Sequence, residues 1–161
     1  MFKTGNDLPE KTRDLVCALL NSRLADAIDL WLQAKQAHWT VRGPHFIALH
    51  ELFDKVAEEV EADMDMIAER VEQLGGMAHG TVQAAAKHTS LTPYGLDTVE
   101  GMAHVIALSR GLAEFSKHLR KDIARCTQEQ DAGSADLLTE VSRDAEKYLW
   151  FVESHLNTNA A

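Results

Sequence analysis

Disulfides, turns and sheets have little to draw on in this chain. Of 161 residues two are cysteine, three proline and nine glycine, and aromatics make up 6%. Cys17 and Cys126 lie far apart with no CxxC spacing, which argues against a zinc knuckle or a disulfide framework and for two buried thiols. No apolar run approaches the roughly 18 residues of a membrane span, and the N-terminus lacks the basic start and apolar stretch of a secretory signal. A cytoplasmic protein is expected. Basic charge is also scarce, with 16 Lys and Arg against 25 Asp and Glu and a formal charge of −9. That balance repels nucleic acid and attracts cations. The GxSxG elbow, the P-loop and the GxGxxG fingerprint are all missing, so common nucleophilic and nucleotide-dependent chemistries lack their residues.

What the chain has is helix. Hydrophobic residues make up 45% of it, enough for one domain spanning 1–161, and abundant Ala, Leu, Glu and Asp favour helices over strands. Asn6 and Asp7 ahead of Pro9 suggest a capping side chain and a Pro in the first turn of a helix that runs to about Trp39. Gly43 and Pro44 interrupt, and a second helix is expected from about His45 to Leu74, stopped by Gly75 and Gly76. The stretch 77–96 reads as a long crossover with a short helix over Thr81 to Lys87. Asp97 or Thr98 caps a third long helix reaching about Thr127, and a fourth runs from about Ala135 to His155. Short tails remain at 1–8 and 157–161. Four long helices with one long middle connection describe an all-α four-helix bundle with a crossover, the ferritin-like arrangement.

The second helix carries the chemistry. Phe46, Leu49, Phe53, Val56, Val60, Met64, Ile67, Val71 and Leu74 fall on one side and are expected in the core. The opposite side holds His50, Asp54, Glu58, Glu61, Asp65, Glu69 and Glu72, with no Lys or Arg among them. Like charges at this spacing oppose a helix, and cations are the natural remedy. Two pairs stand out, His50 with Asp54 and Asp65 with Glu69, each i,i+4 and so able to present two ligands on one face. On one helix Asp54 and Asp65 are roughly 16 Å apart at about 1.5 Å per residue, too far for one cation. Yet the pairs are mirror-placed about the point between Glu59 and Val60. An antiparallel two-fold copy of the helix would lay His50 and Asp54 of one chain opposite Glu69 and Asp65 of the other, making two identical sites. Glu100 with His104 and Glu114 with His118 have the same spacing but no matching companion, so they serve as controls. The bland alternative is a solvated acidic face. A degraded HExxH zinc motif over His50, Glu51 and Asp54 is also weighed, but Asp54 stands where the second zinc His belongs. Imidazole with carboxylates forms a borderline-to-hard ligand set suited to iron.

In two long stretches the sequence resembles the Dps family, the miniferritins named as DNA-binding proteins from starved cells. KQAHW at 35–39, continuing through Val41, Gly43, Leu49, His50 and Asp54, fits the first signature of that family. Met64, Asp65, Ile67, Ala68, Glu69, Arg70, Leu74, Gly75 and Ala78 fit the second. Agreement extends to Gly80, Thr81 and the segment SRDAEKYLWFVE. The resemblance implies a hollow homododecamer with ferroxidase sites at two-fold interfaces, where Fe(II) is oxidised by hydrogen peroxide and stored as ferric mineral. It implies His38, His50 and Asp54 as ligands from one subunit, Asp65 and Glu69 as ligands from its mate, and no organic cofactor. It further implies that Trp39 quenches stray oxidising equivalents or packs at the subunit interface. Asp131 and Asp136 match a region lining three-fold pores, Asp136 having helix N-terminal placement as its alternative. Glu58 and Glu61 are candidates for mineral nucleation.

DNA binding, the alternative function of such a nucleoid-associated protein, is expected to be weak. Residues 1–8 offer only Lys3, beside Asp7, and 157–161 carry no base.

Overall fold

The computed structural model describes residues 1–156, and among them helices are joined by irregular segments with a single isolated bridge, Arg42 to Glu100. The order is α1 (Glu10–Thr40), α2 (Phe46–Gln73), the short α3 (Val82–His88), α4 (Gly101–Gln128) and α5 (Ala132–Glu153). α1 packs on α2 and α4, and α5 on α4 and α2, so α2 and α4 stand on one diagonal of a four-helix bundle. The crossover 74–100 runs over α1, with α3 packed on that helix. This is the expected fold. No helix among these residues is long and apolar enough to cross a membrane.

Helix ends follow local chemistry, with three departures from expectation. Pro9 occupies the cap position of α1 and contributes no side-chain bond; Asn6 instead accepts from the Leu8 N–H at 3.0 Å, turning the chain just before the helix. α4 is capped by Glu100, whose carboxylate accepts from the Ala103 N–H at 2.9 Å, rather than by Asp97 or Thr98. α5 starts three residues earlier than expected, because Asp131 accepts from the Ser134 N–H at 2.9 Å and draws Gly133 and Ser134 into the first turn. The N-terminal segment 1–8 is held at one point, where Phe2 N–H donates to the Gly75 carbonyl at 2.6 Å. The tail expected at 157–161 lies outside the described residues.

The end of α2 shows why its glycines are needed. Gly75 turns to φ +80°, Gly75 N–H reaches Glu72 O at 2.8 Å and Gly76 N–H reaches Val71 O at 2.9 Å, a paired closure that favours glycine at the left-handed position. A Cβ on Gly76 would come within 2.6 Å of Cys17 Sγ. Cys17 and Cys126 are both buried thiols, as expected.

The core fixes which way α2 turns. Leu49, Phe53, Val56, Val60, Ile67, Val71 and Leu74 are buried, each large side chain contributing about 1.5–3 kcal/mol. Phe46 is the exception at 40% exposure and Met64 is only partly buried. Phe46 falls in the first turn, where no facing helix covers it, and it lies against the His50 ring at 5.1 Å. With the apolar stripe held inward, the acidic stripe of α2 must face out.

Candidate metal centre

α1 and α2 run antiparallel, so the end of one helix lies beside the start of the other and brings His38 to His50. The two rings stack with centroids 3.7 Å apart and planes 19° from parallel. His38 Nδ1 lies 2.8 Å from the His50 carbonyl, and His50 Nδ1 lies 2.8 Å from the His38 carbonyl. A carbonyl oxygen only accepts, so both Nδ1 atoms carry hydrogen and donate. Each ring is thus fixed by the other residue's backbone, and both Nε2 lone pairs are left for an incoming cation. Asp54 lies one helical turn on, its Oδ1 3.8 Å from His38 Nδ1. His38, His50 and Asp54 line one cleft together with Glu51, Lys55 and Glu58.

Lys35, not anticipated as part of this site, donates from Nζ to Asp54 Oδ1 at 2.6 Å. That bond, aided by the nearby His38, holds the Asp54 carboxyl below the usual carboxylate range. Asp54 is therefore ionised and already sharing its charge with an ammonium group, which an incoming cation must displace. Lys35 lies on α1 and Asp54 on α2, so no local spacing signals the pair.

Asp65 and Glu69 do not join this group within one chain. Asp65 lines a second cleft with Glu61 and with Glu58, which borders both clefts, and all four acids are exposed. Among the described residues, no three His, Cys, Asp or Glu side chains of the single chain come close enough to hold a metal ion. A site using both pairs needs a second chain.

The accessory residues divide. Trp39 is 63% exposed, with Lys35 Nζ 5.9 Å from its ring. Asp131 is buried and committed: it caps α5, accepts from the Ser134 hydroxyl at 2.5 Å and pairs with Arg70 Nη2 at 2.8 Å. Within one chain the Asp131 carboxylate is thus engaged in holding the start of α5 against α2. Asp136 is exposed on α5 beyond the first turn, and the helix-start carboxylate is Asp131 rather than Asp136.

One buried acid went unforeseen. Asp63 is 1% exposed with its Oδ2 lacking a hydrogen-bond partner among the described residues. Burial, reinforced by Asp144 and Glu59, pushes its pKa up to about 8. Its spacing from Val60 and Ile67 is that of a core position, the cue the sequence contained.

A ferritin-like domain model matches residues 17–160. The DNA protection during starvation protein of Agrobacterium fabrum is 44% identical over 154 residues, covering 96% of this chain and 95% of that protein. This chain belongs to the Dps family of ferritin-like proteins. The corresponding protein of Mycolicibacterium smegmatis is 34% identical over 94% of this chain and 82% of its own. A solved Dps structure from Mycobacterium smegmatis superposes with a TM-score of 0.94 at 33% identity, covering 100% of this chain and 97% of the other. A Vibrio cholerae Dps structure, described as a ferritin-like diiron-carboxylate protein, has a TM-score of 0.91 at 20% identity and adds support for the fold alone. As a Dps-family chain this is a miniferritin with an iron-related role, and the paired-ligand pattern of α2 lies on that scaffold.

Proposed function

We propose that two copies of this chain pair antiparallel along α2, so that His38, His50 and Asp54 of one subunit meet Asp65 and Glu69 of its mate at a ferroxidase site. The observation that carries this reading is the reciprocal locking of His38 and His50. Two imidazoles held with bare Nε2 edges beside an ionised carboxylate form half of a cation site, and the mirror-placed acid pair supplies the other half. Fe(II) and hydrogen peroxide are the substrates. Two ferrous ions give one electron each, the O–O bond breaks, and with two protons the peroxide leaves as two waters, so no hydroxyl radical is released. The added carboxylates favour the harder ferric product. Lys35 leaves Asp54 as the metal enters. Glu58 and Glu61 offer carboxylates beside Asp65 where ferric ions collect, and the product is stored as mineral inside a shell of twelve subunits in the cytoplasm, protecting the cell from oxidative damage.

The test is anaerobic loading of the assembled protein with two Fe(II) per subunit, then stoichiometric peroxide, following ferric absorbance beside Asp65→Ala. Fast oxidation in the wild type alone supports the site. Equal slow oxidation in both overturns it.

Nucleoid association has one observation in its favour. α4 exposes Arg110, Lys117, Arg120, Lys121 and Arg125, of which Arg120 is engaged by Glu146 and Arg125 by Glu129. Against a chain charge of −9, this stripe supports only weak, salt-sensitive DNA binding. A tight plasmid gel shift that persists in high salt contradicts that.

A further inference from the structure

The oxidation chemistry above leaves one buried histidine unused. His104 of α4 is 0% exposed, and the phenol oxygen of Tyr94, from the crossover, lies 2.6 Å from its Nδ1. The proton's position follows from the other neighbours. Thr40 Oγ1 donates to the Gln36 carbonyl at 2.6 Å, leaving its oxygen to accept from His104 Nε2 at 3.5 Å. With hydrogen on Nε2, the Nδ1 lone pair is bare and the phenol donates to it. Burial favours the neutral imidazole and, on Tyr94, the intact phenol. A phenol is hard to oxidise while it keeps its proton, because its radical cation is a far stronger acid than the phenol itself. A short bond to a neutral base removes that obstacle.

Each member of this pair faces a residue that adjoins a proposed metal ligand in the chain. The His104 ring tilts against Phe53 at 6.1 Å, and Phe53 precedes Asp54. Tyr94 and Trp39 line the same apolar cavity of about 440 Å³, and Trp39 follows His38. We propose that Tyr94 and His104 form a proton-coupled electron sink for the metal centre, reached through Trp39. A one-electron oxidant formed when peroxide meets a single ferrous ion takes an electron from Trp39, and an electron from Tyr94 refills the indole. The Tyr94 O–H bond breaks as an N–H bond forms at His104 Nδ1, leaving a neutral tyrosyl radical and an imidazolium. A further ferrous ion then returns an electron to Tyr94, becoming ferric, while His104 gives the proton back. The proposal rests on the ferroxidase reading only for the source of its oxidant.

The test separates the two. Pulse radiolysis of metal-free assembled protein with azide radicals oxidises tryptophan without any iron, and the chain has only two tyrosines, Tyr94 and Tyr148. Decay of the indolyl signal should feed growth of a tyrosyl signal that Tyr94→Phe abolishes and Trp39→Phe largely removes. His104→Gln should slow the growth at least about tenfold, since it removes a positioned base, and heavy water should slow it in the wild type. Tyr94→Phe removes one hydroxyl and keeps the ring, so it decides the matter if His104→Gln fails to fold. Growth that persists in Tyr94→Phe, that ignores both His104→Gln and heavy water, or that is missing from the wild type overturns the relay. A second arm uses Fe(II), peroxide and freeze-quench electron paramagnetic resonance. A Tyr94-dependent radical there supports the coupling. An intact azide response with neither radical nor fast ferric formation in the iron arm leaves the relay standing and removes the ferroxidase reading.

Discussion

Two helices of this bundle carry the same short pattern, an acid and a histidine four residues apart, and put it to opposite uses. On α2, His50 and Asp54 turn outward, and Lys35 lends Asp54 its ammonium group. At the start of α4 and along it the pairs are engaged by other groups of the same chain. Glu100 caps its own helix, His104 takes the Tyr94 phenol, and Glu114 accepts the amide and hydroxyl of Thr92 at 2.8 and 2.7 Å. His118 Nδ1 reaches Asp26 at 3.2 Å. Spacing alone puts two side chains on one face; what already covers that face decides their work. Where a loop brings its own donors the acids are satisfied inside the chain. Where none does, they are left for a cation.

The sharpest way to break the comparison is to remove one acid from each helix. Asp65→Ala should cost at least about 100-fold in peroxide-dependent ferrous oxidation by stopped flow, a ligand loss being no milder than loss of a supporting bond, while Glu114→Gln should leave the rate unchanged. Equal losses would erase the distinction. On the α4 side the cost should fall on stability. Asp26 is 0% exposed, pairs with Arg23 at 3.1 Å and His118 at 3.2 Å, and accepts the Ser90 N–H at 2.7 Å. Asp26→Ala strands these partners, and urea unfolding should show a loss of about 3 kcal/mol with metal affinity unaltered.

These two helices also show how much was legible. The four long helices, the crossover, the buried apolar stripe of α2 and its outward acidic stripe all follow from spacing along the chain, because helical periodicity is local. What could not be read are pairings that depend on which segments meet. Lys35 finds Asp54 only once α1 and α2 lie antiparallel. Glu100 and Asp131 are local caps, each accepting from the N–H three residues on, and are hidden in the sequence by other capping residues beside them, with Gln130 at φ +61° making the turn into α5. Phe46 looked like core and is not, since core membership needs a neighbour as well as a stripe. The mirror placement of His50 and Asp54 against Asp65 and Glu69 is itself a matter of positions along the chain, which a two-fold axis would turn into a contact.

Asp63 supplies a pH test. Its folded pKa of about 8 exceeds the ordinary 3.8, so the folded state binds the extra proton. The penalty is absent below about pH 4, grows as pH rises toward 8 and levels off above it. Asp63→Asn should flatten that slope in urea titrations and be more stable than wild type at pH 8, with little difference at pH 4. A slope unchanged by the substitution would show that the carboxyl ionises without cost. The smallest effect is expected at Lys35. An ion pair this open to solvent is worth at most about 1 kcal/mol, so Lys35→Met should tighten Co(II) binding by about fivefold in calorimetry. Weaker binding would mean that the ammonium orients Asp54 rather than competing with the metal.

The central claim is that each site is shared between two chains, and mixing tests it most directly. Subunits carrying His38→Ala and His50→Ala are refolded together with subunits carrying Asp65→Ala and Glu69→Ala, and peroxide-dependent ferrous oxidation is measured. Each variant alone should be inactive. In the mixture every hybrid pair joins the intact histidine half of one chain to the intact acid half of the other, so random pairing should restore about a quarter of the wild-type activity. A mixture as inactive as its components would contradict the shared site.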